Sequence, residues 1–452
     1  MNDQMILLPL IIFALTIFVM IWKPFRINET IPTTIGASLF LLFGIVPLSD
    51  LLSIFNIVSG AAITILSSIV MSIILESLGF FNWVAYNLVN RAKQSGLKLF
   101  IYTTALCFAM TLFFNNDGSI LITTPIIIKT VNMLNLKNNQ KIAYLLPGAL
   151  IATAASAPIA VSNIANLIAL KIVGLDINSY VSLMFVPSMI GIGVITLLLY
   201  LYFKKDIPKK LPNLKLHMKN YEVNKRSLPH PLSIHTTSPQ VDWGLFKICM
   251  IIIVATRAGF FLLTPFGISL EWIAIIGAAA LIAVRWFKSK VGVKDVVKKT
   301  PWHILLFAFS MYILVYGLHN IGLTDVLIQQ LSDVVKQDRL SAIFTMGGLL
   351  TVLSNTFNNL PAVMIGTLTL TEMDLDAHTL QVAYLANIIG SDIGALLTPV
   401  GTLATLLWMF ILREHKIHIS WKQYTKIAFI VIPLGLIISL LSLYLWTNWI
   451  FG

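Results

Sequence analysis

Charge is scarce in this sequence. Asp, Glu, Lys and Arg together make up 11% of its 452 residues, against about 25% in soluble domains, which excludes an extensive water-exposed surface. Cysteine is scarcer still. Cys107 and Cys249 are the two present, and both lie in apolar runs, which excludes a disulfide framework. No spacing of Cys, His, Asp or Glu points to a metal site. His217, His230 and His235 sit in a basic, proline-containing loop, where solvated side chains outweigh metal ligation. Zinc-protease, nucleophile-elbow and phosphate-loop patterns are missing, so no catalytic group and no cofactor is expected. Any uphill work must therefore draw on an ion gradient or on a separate ATPase subunit. The formal net charge of +12 has no nucleic-acid-binding motif beside it, and nucleic acid is not an expected partner.

What the sequence does have is apolar length. Hydrophobic residues make up 57% of the chain, and runs of about 20 of them recur, enough to cross roughly 30 Å of hydrocarbon. Spans read at 5–22, 33–49, 60–78, 142–170, 180–203, 243–264, 268–286, 303–320, 379–411 and 427–447. Two further stretches, 99–132 and 340–372, are interrupted by Asn115-Asn116-Asp117-Gly118 and by Asn358-Asn359-Leu360-Pro361. Each could be a crossing or a re-entrant hairpin, and charge decides between them. With both as hairpins and both termini outside, most of the 31 basic residues fall on the inner side, including Lys23, Arg26, the loop from Lys204 to Arg226, and Arg413 to Lys426. Making 99–132 a crossing would push the central basic loop outside, against the positive-inside rule. The N-terminus, Met1 to Gln4, lacks the basic start of a cleaved leader, so the first span is expected to stay as an anchor.

The expected fold is an all-α polytopic membrane protein of two inverted repeats, each of five transmembrane helices with a re-entrant hairpin and a broken helix. Residues 1–203 form the first repeat (hairpin 99–132, broken helix 142–170). Residues 204–241 form a basic cytoplasmic linker, and 242–452 form the second repeat (hairpin 340–372, broken helix 379–411). This is a plan of secondary transporters. The match of Phe114-Asn115-Asn116 with Phe357-Asn358-Asn359 supports it.

Backbone that leaves helical geometry inside a membrane must find partners in protein or in a water-lined cavity, and the exposed helix ends there can bind polar solutes. The polar breaks supply the candidates. For the solute they are Asn115, Asn116, Ser156, Ser162, Asn163, Asn166, Asn358, Asn359, Ser391, Thr398, Thr402 and Thr405. For proton coupling they are Asp392, deep in an apolar run, and Asp117. A carboxylate at that depth costs about 2.5–3.5 kcal/mol on insertion scales, which makes Asp392 functional by default. The competing reading is that these side chains only cap half-helices, and Asp117, before Gly118, fits a cap. Glu76 reads as interfacial or as a partner for a basic group. Lys129, Lys247 and Arg257 read as snorkelling or ion-paired residues.

At these residues the sequence resembles the arsenical pump membrane protein (ArsB) family, within the ion transporter superfamily. The likeness runs from end to end. It is carried by Ser77 to Trp83, Asn116 to Ile126, Val161-Ser162-Asn163, Phe203 to Pro208, Met311-Tyr312, Tyr316-Gly317-Leu318 and Asn358 to Pro361. Above all it is carried by Ala386 to Gly394, continuing through Thr398 to Trp408. The resemblance implies a scaffold and a transport domain with elevator-like alternating access, in a multi-pass protein of the cell (inner) membrane. It also implies extrusion of arsenite or antimonite in exchange for protons, with a docking ATPase subunit left open. A sodium/proton antiporter or anion carrier of the same superfamily is the alternative. Thr153 stands where the family pattern has an acidic residue, and Leu396 where it has lysine. Losing both keeps local charge balanced.

Overall fold

The structure, a computed structural model, describes residues 3–22, 27–212, 242–289 and 292–451. Lys23, Arg26 and the part of the central loop that carries the three histidines lie outside the described residues. Among the described residues every regular element is helical, the conformation that satisfies backbone groups within one segment where water is absent. Nine of these helices are long and apolar enough to cross a membrane.

The first half runs α1 (Asp3–Trp22), α2 (Thr30–Leu42), α3 (Leu51–Ser77), α4 (Phe80–Arg91), α5 (Gly96–Phe113), α6 (Asn116–Met133), α7 (Asn138–Ala154), α8 (Ile164–Val173) and α9 (Ile177–Phe203). The second half runs α10 (Trp243–Leu262), α11 (Leu270–Ser289), α12 (Lys294–Lys299), α13 (His303–Asn320), α14 (Leu323–Val335), α15 (Arg339–Phe357), α16 (Asn359–Thr371), α17 (Ala377–Asp392), α18 (Leu403–Glu414) and α19 (Trp421–Phe451).

The halves use the same local devices in the same order. The short helices α4 and α14 each follow a left-handed glycine, Gly79 at φ 76° and Gly322 at φ 88°, a conformation open to glycine at little cost. Ser95 caps α5 by accepting the Lys98 amide at 3.3 Å, and Asp338 caps α15 by accepting the Ser341 amide at 2.8 Å. Asn115 and Asn358 then stand at the starts of α6 and α16. The members of each of these three pairs are separated by the same number of residues along the chain.

The stretches 99–132 and 340–372 are each two helices folded back on one another. In the first, the Ser119 hydroxyl donates to the Cys107 carbonyl at 3.2 Å; in the second, Leu350 packs against Gly366. The stretches 142–170 and 379–411 are helices broken at their middles, between α7 and α8 and between α17 and α18.

Packing crosses between the halves. Beyond the turn of the first hairpin, α6 lies on α18; beyond that of the second, α16 lies on α8. Around them α2 packs on α13, α3 on α11, α10 on α11 and α9 on α19. Leu197, Ile251, Phe287 and Leu445 are more than half exposed, an apolar exterior that suits hydrocarbon rather than water.

Candidate functional site

Four helices begin at the breaks, and the two cross-half pairings bring their beginnings together. A cavity of about 980 Å³ is lined by Asn116 and Asp117 of α6, by Asn163 and Ile164 at the start of α8, by Asn359 and Leu360 of α16, and by Leu403 of α18. The first amides of a helix are unpaired within it and its dipole presents partial positive charge there. One cavity thus receives four such ends. From this floor it extends to Trp22, Glu29, His303, Arg413 and Trp421 at one end of the bundle, with Leu406, Leu407 and Phe410 as an apolar wall.

Asp392 lies behind that floor, at the last turn of α17, and is fully buried. Asn163 donates its amide to Asp392 Oδ1 at 2.9 Å, and Asn166 donates to Oδ2 at 2.7 Å. Asn163 is also the N-cap of α8, accepting the Ala165 amide at 3.1 Å. The carboxylate therefore sits at the N-terminal turn of α8 with two amide donors, which together offset part of its desolvation. Asn163 faces the cavity and touches Asp392, and so links the two.

The other candidates separate into ligand-facing and architectural groups. Asn116 and Asn359 line the cavity, as does the half-buried Asp117. Asn115 is a cap, its Oδ1 accepting the Gly118 amide at 2.7 Å. Asn358 ties the second hairpin to the broken segment, donating to the Val400 carbonyl at 3.0 Å. Thr402 caps α18 by accepting the Thr405 amide at 3.1 Å, with the two hydroxyls 2.8 Å apart. Ser156 donates to the Thr153 carbonyl at 2.6 Å and Ser391 to that of Ile388 at 3.1 Å. The hydroxyls of Ser162 and Thr398 are buried and have no partner among the described residues. None of Asn115, Ser156, Ser162, Asn166, Asn358, Ser391, Thr398, Thr402 or Thr405 lines the cavity.

Thr153 and Leu396 are both fully buried. The Thr153 hydroxyl donates to the Ala149 carbonyl at 3.2 Å, and the Leu396 carbonyl accepts from Tyr424 at 3.1 Å. The turn that contains Leu396 packs against α7, which carries Thr153.

The scan against protein families matches residues 8–447 to the arsenical pump membrane protein model. The chain belongs to the arsenical pump membrane protein family. A relative from Bacillus subtilis (strain 168) is 48% identical over 445 residues, covering 97% of this chain and 99% of the relative. Arsenical pump membrane proteins of Escherichia coli and Yersinia enterocolitica are each 32% identical over 432 residues, 96% of this chain and 97% of theirs. This family member is a multi-pass membrane transporter.

Several residues that hold the two breaks were not singled out by the sequence. Tyr384 donates to the Asn166 carbonyl at 3.4 Å and Tyr180 to the Ala157 carbonyl at 2.6 Å. Their rings lie 6.3 Å apart beside the first break. Asn355 holds the second break, donating to the Gly394 carbonyl at 2.9 Å and accepting the Thr398 amide at 2.8 Å. Tyr384 sits two helical turns before Asp392, and that spacing was the available signal. Glu76, read as a partner for a basic group, lies 3.5 Å from Lys299. Lys247 is exposed at the start of α10, as a snorkelling residue would be. Arg257 does not snorkel: it is buried, bonds to backbone, and has no ion-pair partner among the described residues.

Proposed function

We propose that this protein extrudes arsenite or antimonite from the cell by proton antiport through an elevator-like alternating-access cycle. The observation that carries this reading is the convergence of four helix N-termini on one cavity, with Asn116, Asn163 and Asn359 among its polar side chains. Neutral trihydroxy-arsenic is a small polyol-like solute whose oxygens suit amide donors and helix N-termini. It requires no thiolate.

Asn163 gives the cycle its coupling. It binds solute on its cavity side and Asp392 on the other, so occupancy of the solute position and protonation of Asp392 are sensed by one amide. Asp392 takes a proton from outside and releases it inside as the site alternates. A membrane potential supplies about 2.3 kcal/mol per charge per 100 mV, enough for roughly fiftyfold accumulation of a neutral solute. The cavity extends to the end of the bundle that carries Arg413, and we take its mouth to lie there. On the positive-inside rule that end is cytoplasmic, and the conformation is the inward-open one, in an inner membrane with both termini outside.

A second reading, a sodium/proton antiporter, draws on two carboxylates that line the same cavity, Glu29 and Asp117. Uptake of arsenite into inside-out vesicles under an imposed pH gradient, with and without sodium, separates the two. Accumulation that collapses with the pH gradient and ignores sodium is the expected result. Sodium-dependent collapse of the pH gradient without arsenite uptake would replace the first reading with the second.

A further inference from the structure

The two hairpins are held at their turns by different means. The turn of the second is tied within its own half: Asn358 donates to the Val400 carbonyl at 3.0 Å, and Asn355 donates to that of Gly394 at 2.9 Å. The first has such a tie too, the Thr111 hydroxyl donating to the Ala152 carbonyl at 2.7 Å, but its turn is held in addition by a cation from the other half of the chain. Arg257, on α10, donates Nε to the Phe113 carbonyl and Nη2 to the Phe114 carbonyl, each at 2.7 Å. Nη2 also reaches the Ser68 hydroxyl of α3 at 3.3 Å, and the guanidinium lies 5.3 Å from the centre of the Phe260 ring.

Phe113 ends α5 and Phe114 is its C-cap, where the last carbonyls of a helix have no partner within it and carry the negative end of its dipole. A guanidinium, with five donors in a fixed fork, matches two such carbonyls in one contact. Arg257 is 8% exposed, and among the described residues no carboxylate lies within 4 Å of it. Its charge is met by carbonyls, a hydroxyl and a ring, and its Nη1 is buried with no partner among the described residues. A buried cation held this way is costly to keep unless the held geometry matters.

We propose that Arg257 is a positioning residue for transport: it fixes the turn of the first hairpin, and with it Asn116 and Asp117, against α10 and α3 in this conformation. The inference rests on the alternating-access reading for its consequence. If the first hairpin moves against α10 during the cycle, the Arg257 contact must part. The ties of the second hairpin lie within one half and can travel with it.

The test has one arm that involves no substrate. Hydrogen–deuterium exchange of the full chain in lipid nanodiscs is compared for wild type, Arg257→Lys, Arg257→Met and Ser68→Ala. The expected result for Arg257→Met is at least tenfold faster exchange confined to residues 113–119, with residues 354–362 unchanged and Arg257→Lys in between. The second arm is arsenite uptake into inside-out vesicles. Arg257→Met should raise KM at least fivefold, with Vmax also reduced, and Arg257→Lys should restore part of both. Unchanged exchange at 113–119 in Arg257→Met, or faster exchange spread over α3, α10 and α11, would overturn the proposal. Absence of arsenite uptake by wild type with the exchange pattern intact would overturn the substrate reading and leave the positioning role standing.

Discussion

Asn166, in the first turn of α8, donates its side-chain amide to Asp392 Oδ2 at 2.7 Å, joining the break of the first half to that of the second. Asp392→Asn leaves a neutral amide in the same volume but removes the proton-carrying group. The expected outcome is loss of more than 90% of pH-driven arsenite accumulation in inside-out vesicles, while solute exchange at equal concentrations on both sides persists. Pumping at the wild-type rate in this variant would take Asp392 out of the coupling step. Asn166→Ala keeps the carboxylate and removes one of its two amide donors, so accumulation should fall only severalfold.

Asn358 holds φ 83° and ψ 156°, a backbone region used almost solely by glycine and costing about 1–3 kcal/mol for other residues. Its bond to the Val400 carbonyl offsets part of that cost. Asn358→Ala keeps the strain and loses the bond, worth about 1 kcal/mol; Asn358→Gly loses the bond and relieves the strain. Thermal unfolding in detergent should therefore rank wild type and Asn358→Gly close together, with Asn358→Ala clearly below. Glycine and alanine variants that fall equally far below wild type would show that the side-chain tie, not the backbone, dominates this turn.

Asp376 starts α17, the helix that ends in Asp392. Its Oδ1 accepts the amides of His378 and Thr379, each at 3.0 Å. The Thr379 side chain, followed by these backbone bonds, holds the carboxyl below its ordinary range. The folded-state pKa thus lies below the unfolded one, so the charged cap contributes in full above about pH 4. That contribution is lost as the pH falls through the folded value. Asp376→Ala should cost about 1 kcal/mol at neutral pH, as caps do, and the gap to wild type should narrow in acid. Melting temperatures measured from pH 7 to pH 3 check this; a gap that widens in acid would contradict the cap.

The parts of the fold legible in the sequence were those where a residue's chemistry clashes with its surroundings. Asn115-Asn116-Asp117 and Asn358-Asn359 interrupt apolar runs, and a polar interruption that basic residues bracket on one side reads as a turn. Asp392 stood out for the same reason. The division of labour among the asparagines was not legible. Asn115 capping α6 and Asn116 facing the cavity are adjacent and identical in type, and only backbone geometry separates a cap from a cavity-facing side chain. Arg257 was misread because its partners are the carbonyls of Phe113 and Phe114, and a carbonyl leaves no mark in a sequence. Tyr180 and Tyr384 were passed over because a tyrosine in an apolar helix looks the same whether its hydroxyl binds a broken helix or faces a lipid headgroup.

The two cysteines separate hydrogen-bonded from thiolate capture of the solute. Cys107 is fully buried in α5 and packs toward Gly148, and Cys249 is fully buried in α10. Neither lines the cavity. Thiolates are the stronger ligands for a soft centre, so a pump that captured the metalloid through thiolate would need one of them. Serine at either position finds a backbone carbonyl one turn back in its own helix, which keeps the substitution mild for folding. The double variant Cys107→Ser, Cys249→Ser should retain at least half of wild-type arsenite uptake with an unchanged KM. A loss of more than tenfold, in a variant that still reaches the membrane at normal yield, would put sulfur in the transport path and displace the asparagine amides from substrate binding.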